Sequence, residues 1–215
     1  MDRDLRRAQR SGDRTALLAA RLRAGEVTQA HVALAASLGH SAALALMPEV
    51  ERVDWDDSGA RKTAISDATS LVGETLPARV AADFAERLLS KWEEQNPRDT
   101  RPRDAIAAAR AWAECPCDAH RAEAHVAATA AKAASETPHD PRILIVSFSM
   151  ADFLRISVAS AAGSAAFAAG RATPVADAEH AASSIHHIAE GQEAEQEWQR
   201  LRLAGYALGE IEAVD

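Results

Sequence analysis

The chain has 215 residues, a formal net charge of −8, 47% hydrophobic and only 4% aromatic residues. That length accommodates one large or two small domains with a real core. About a quarter of the residues are alanine, the best helix former, and strand formers are sparse, which excludes a sheet-based fold and predicts an all-α one.

The charge is uneven. Residues 1–23 carry seven arginines against three aspartates, and residues 190–215 carry seven acidic groups against two arginines. Nucleic-acid binding is disfavoured, because the chain is acidic overall and its basic stretch lacks interleaved aromatics. The opening Met-Asp-Arg-Asp-Leu-Arg-Arg has no apolar core and does not read as a signal peptide. The most apolar region, residues 143–170, is interrupted by Asp152 and Arg155 and is too short beyond them to span a bilayer. Cys115 and Cys117 flank Pro116; two cysteines make no disulfide framework, the spacing is not that of a zinc knuckle, and reduced cytoplasmic thiols are expected.

In chain order, residues 4–47 read as short helical hairpins. Leu5–Gln9 is a first helix. Asp13 caps a second that ends at Gly25, and Thr28 caps a third carrying Ala30, Leu34 and Leu38 on one face. Ser41–Met47 is a fourth, stopped by Pro48. Residues 50–59 form a turn-rich junction whose Trp55 is expected to plug a linker onto a domain surface. This junction divides a 1–50 module from a 51–215 alanine-rich helical domain.

Arg61–Val72 is a helix. Leu76–Glu94 is a stronger one, with Val80, Phe84, Leu88 and Trp92 recurring at every fourth position. Pro97 stops it, and Pro102 opens the next, which places Ala105, Ala108, Ala109 and Trp112 on one face and runs to Glu114. His120–Ala134 follows. Ile143–Phe148 is apolar enough for a strand, but no partner strand is visible, so it reads as a helix start. Ser157–Ala169 allows close helix contact. Val175–Glu190 is histidine-rich, and Glu193–Leu208 closes the pattern with Trp198, Leu201 and Tyr206. The whole is a multi-helix bundle with N-terminal short helical hairpins.

Three constellations are candidate sites. Arg101, Arg103 and Asp104 crowd a helix start beside Asp99; the arginines either clamp an acidic partner or fasten the elbow between two helices. Glu193, Glu195 and Glu197 make an acidic face suited to a basic partner. His180, His186, His187 and Glu190 lie on one helix, with His186 and Glu190 four residues apart as metal ligands would be; no second ligand motif appears on another helix, so no metal and no cofactor is expected. Cys115 with His120 is a further nucleophile arrangement, disfavoured because a helix C-terminus raises a thiol pKa.

Over about forty residues of the 4–47 hairpins, Arg10-Ser11-Gly12-Asp13 followed by Leu34-Ala35-Ala36-Ser37-Leu38-Gly39-His40 resembles the helix pairs of ankyrin-like repeats, without their Thr-Pro-Leu-His signature. From Ala81 to about Ala134 the chain resembles a family of immunity proteins from bacterial polymorphic toxin systems. The likeness rests on Phe84-Ala85-Glu86, Trp92-Glu93, Pro97-x-Asp99-x-Arg101-Pro102-Arg103-x-Ala105-Ile106 and Ala108-Ala109-Arg110-x-Trp112. Gly170-Arg171-Ala172 and Ala178-Glu179-His180-Ala181 only approximate that family's later helices. The resemblance implies an all-α fold, a protein partner (the cognate toxin domain) and no catalytic residues. The expected function is non-enzymatic toxin neutralisation by direct association; a helical adaptor and a metal-dependent helical enzyme using the histidine cluster are the alternatives.

Overall fold

The computed structural model describes residues 12–136, 174–186 and 192–211. Among these there are ten α-helices and no strand, so the fold is all-α as composition predicts. None of these helices is long and apolar enough to cross a membrane. Leu5–Gln9, Ile143–Phe148 and Ser157–Ala169 lie outside the described residues. The chain forms two compact units, one of residues 1–73 and 196–215 and the other of residues 74–195.

The first unit contains α1 (Arg14–Ala24), α2 (Gln29–Ser37), α3 (Ser41–Leu46) and α4 (Ser58–Val72). Each start and stop has a local cause. The Asp13 carboxylate accepts from the Ala16 N–H at 3.0 Å, and Gly25 closes α1 at φ +74°, a conformation that costs glycine nothing. Thr28 and His31 form a reciprocal capping box, with histidine in the position usually given to Glu or Gln. His40 caps α3 through Nδ1. α3 packs on α1 and α2, and α4 packs on α2. Leu18, Val32, Leu38 and Ile65 are fully buried among them.

The first unit also takes in the residues from Gln196 onward of α10 (Gln192–Leu208). Leu203, Ala204, Ala207 and Leu208 are buried there, whereas Leu201, named above as one of this helix's larger apolar groups, is exposed. Arg21 donates to the Leu208 carbonyl at 2.6 Å, satisfying one of the open carbonyls at the helix end. His40 Nε2 lies 3.4 Å from the Glu210 carboxylate. Gly205 leaves room for Ile211, whose Cδ1 would lie 2.6 Å from an added Cβ. The junction before α4 is tied in as well. Trp55 is buried, Arg61 donates to its carbonyl at 2.5 Å, and Gln196 donates to Asp56 at 2.7 Å.

The second unit contains α5 (Leu76–Glu86), α6 (Leu89–Gln95), α7 (Arg101–Glu114), α8 (Asp118–Glu136) and α9 (Pro174–His186). α5 is central: it packs against α6, α7 and α9, and α7 packs in turn on α8. The facing positions are small. Ala81 and Ala85 of α5, Ala105 and Ala109 of α7, Ala124 and Ala128 of α8, and Ala178, Ala181 and Ala182 of α9 are all fully buried. Small side chains let helices approach closely, and Phe84, Trp92 and Trp112 fill the space they leave.

The single helix expected over Leu76–Glu94 is two. The ladder tightens at Arg87 and Leu88, whose N–H groups reach back three residues to Phe84 and Ala85 at 3.3 and 3.2 Å. Such a turn changes the winding without needing glycine or proline. Val80, Phe84, Leu88 and Trp92 nevertheless all stay buried, so the apolar stripe is kept across the break. Beyond it, the Trp92 indole donates to the Asp99 carbonyl at 2.9 Å and pins the Asn96–Thr100 elbow.

Candidate functional site

The elbow and the two helices after it carry the arginine and cysteine features that the sequence singles out. Asp99 takes the Arg101 guanidinium in a bidentate fork, at 2.8 Å from Nε and 2.6 Å from an Nη, and also accepts the Arg101 N–H at 3.2 Å. These bonds from Arg101 hold the Asp99 carboxyl below the usual carboxylate range. Arg103 bonds Glu93 at 2.7 Å, tying the start of α7 to α6. Asp104 accepts from the Thr100 hydroxyl at 2.9 Å within the first turn, where a negative charge also suits the helix dipole. The two arginines thus fasten the elbow.

Deeper along the same helix, Arg110 bonds Glu86 and also Asp83 at 3.1 Å. The hydrogen bonds that Arg110 donates to Glu86 push its already high pKa further up. Arg79 donates to the Ala113 carbonyl at 3.1 Å. Polar contacts therefore join α5 to the C-terminal half of α7, beside an alanine-lined seam.

α7 and α8 border an open recess of about 490 Å³. Val126, Ala127 and Ala130 floor it, and Arg101, Asp104 and Glu123 stand at its rim. Val126 is 69% exposed, a large aliphatic side chain facing outward from a helix that otherwise buries alanine. Arg101 also borders a second, shallower recess of about 460 Å³ with Asn96, Pro97, Arg98 and Asp99. The sequence offers a signal for Val126, an apolar residue set among His125, Ala127 and Glu123, but nothing that says it faces out.

The acidic series on α10 is not uniform. Glu193 and Glu197 are exposed, whereas Glu195 is 5% exposed and takes Arg87 Nε and Nη at 3.3 and 3.1 Å. Of the histidine cluster, His180 is exposed on α9 and His186 ends that helix. His187 and Glu190 lie outside the described residues.

At the turn between α7 and α8 the structure differs from the sequence reading in where the second helix begins. α8 starts at Asp118, not at His120, and the Cys117 carbonyl accepts the Arg121 N–H at 3.0 Å, which makes Cys117 the residue capping α8. Cys115, at the end of α7, has its thiol pKa raised, chiefly by the neighbouring Cys117 thiol. The Cys117 thiol is pushed down, first by the His120 backbone N–H at the start of α8. His120 is pushed up, first by its bond to the Cys115 carbonyl.

Comparison with known proteins finds no family model, no curated protein and no solved structure that matches the chain.

Proposed function

We propose that this chain is a non-enzymatic binding protein that neutralises a bacterial toxin domain by direct association in the cytoplasm. The observation that supports this reading is the recess between α7 and α8. Its apolar surface of Val126, Ala127 and Ala130, rimmed by Arg101, Asp104 and Glu123, matches the apolar centre and polar rim of a protein interface. The helix beneath that rim carries the Arg101-Pro102-Arg103-x-Ala105-Ile106 segment on which the immunity-protein resemblance rests. The exposed Glu193 and Glu197 would speed encounter with a basic toxin without forming the buried contact.

The test combines binding and protection. The purified chain is used to capture partners from its native host, and complex formation with any toxin domain retained is followed by calorimetry. Val126→Arg should weaken association at least about tenfold, as for a central interface residue, without moving the unfolding midpoint. In cells, co-expression of the unaltered chain should restore growth in the presence of the toxin. Binding without protection would point to a helical adaptor instead, and neither binding nor protection would end the proposal.

A further inference from the structure

We infer that Cys115, Cys117 and His120 form a binding site for a thiophilic d¹⁰ cation, Zn²⁺ or Cu⁺. One donor atom from each residue, the two Sγ atoms and a ring nitrogen of His120, lies within 4.8 Å of the others. Donors about 2.3 Å from a tetrahedral ion stand roughly 3.8 Å apart, so closure on an ion needs shifts on the order of 1 Å. Two sulfurs and an imidazole are the donor set that selects such ions over hard, oxygen-seeking ones.

The backbone holds this set together. Pro116 fixes its own φ, and the Cys117 N–H bonds the Cys115 carbonyl at 2.7 Å, closing a tight turn that keeps the two cysteines side by side. Cys117 then caps α8, and His120 lies in the first turn of that helix. A second observation concerns the histidine itself. Its Nδ1 lies 3.0 Å from the Cys115 carbonyl oxygen, which can only accept, so Nδ1 is the donor and Nε2 is the ring nitrogen left to bind an ion. A ring whose other nitrogen donates to a backbone carbonyl is the usual support of a metal-bound histidine. Cys115 is exposed and the other two are half-exposed, so an ion can reach them. Three protein donors complete a trigonal Cu⁺ site. They leave Zn²⁺ one coordination position for water or for a group on another molecule.

The experiment uses the full-length chain, tag-free and kept reduced. Zn²⁺ and Cu⁺ are titrated separately in competition with a chromogenic chelator, and Co²⁺ serves as a spectroscopic stand-in for Zn²⁺. One ion per chain is expected, with a Kd of about 1 μM or tighter and a thiolate-to-cobalt charge-transfer band. Cys115→Ser, Cys117→Ser and His120→Ala should each weaken binding at least tenfold, while His125→Ala leaves it unchanged. Binding of either ion in this way supports the site, and the preference between them names the ion. Affinity weaker than about 10 μM for both ions, one ion per two chains, or binding that survives all three substitutions would overturn it.

Discussion

Trp55 donates its indole N–H to the side-chain oxygen of Gln199 at 2.9 Å, across 144 residues of sequence, and both side chains are at most 1% exposed. A buried amide facing a buried indole is a specific match, since each would otherwise leave a polar group without water or partner. The pair joins the junction before α4 to α10 inside the first unit.

Removing one member should therefore cost more than removing both. Gln199→Leu keeps volume but strands the indole N–H, and should lower unfolding free energy by about 1–3 kcal/mol. Adding Trp55→Phe removes the stranded donor, so the double variant should be more stable than the sum of the single effects predicts. Urea denaturation of all four proteins measures the coupling. Simple additivity would mean that the bond contributes nothing beyond packing.

The arginines of α7 should differ in importance according to what they leave behind. Arg103 is 60% exposed in its bond to Glu93, and Arg103→Ala should cost under about 1 kcal/mol, as surface pairs do. Arg110 faces Asp83, which is 6% exposed, so Arg110→Ala removes a charge-assisted hydrogen bond from a buried carboxylate. That should cost about 1.5–3 kcal/mol, more than the exposed pair. Replacing Asp83 by Asn in the Arg110→Ala background should recover part of the loss. Equal melting temperatures for the two single variants would contradict this ranking.

The elbow should carry a pH signature. The Asp99 carboxyl is depressed in the folded chain, chiefly by its bonds from Arg101, so the folded state binds that proton less readily than the unfolded state does. Its stabilisation is therefore present above the unfolded-state pKa, near 4, and is lost as pH falls through the lower folded value. Asp99→Asn retains an oxygen for the Arg101 N–H but removes the charge. The variant should be less stable than the parent at pH 7, and the gap should close below about pH 4. A gap that persists unchanged at pH 3 would show that shape, not charge, holds the fork.

Where a helix ends at a residue with a strong local preference, the sequence announces it. Asp13, Gly25 and Thr28 punctuate the first unit as expected, because capping and left-handed geometry are decided within a few residues. Pro97 and Pro102 mark the elbow for the same reason. The break at Arg87–Leu88 carries no such mark: either residue would continue a helix, and only the packing around it makes the ladder tighten. Cysteine is not among the favoured caps, so the sequence alone points to a start at His120 rather than after Cys117. The burial of Trp55 was expected, but Gln199 as its partner was not, since no local pattern links positions so far apart. For the candidate interface, the charged rim was readable from Arg101 and Asp104, whereas the exposure of Val126 depends on how α7 and α8 meet.

The first unit is discontinuous: residues 1–73 are joined by residues 196–215, while 74–195 form the second unit without interruption. During synthesis, therefore, the N-terminal helices leave the ribosome long before the segment that covers Trp55 exists. The second unit has all of its residues first, although it begins later in the chain. Until Gln199 is added, the earliest helices wait with an open core, a stage at which a chaperone or a protease has its best opportunity to act on the nascent chain.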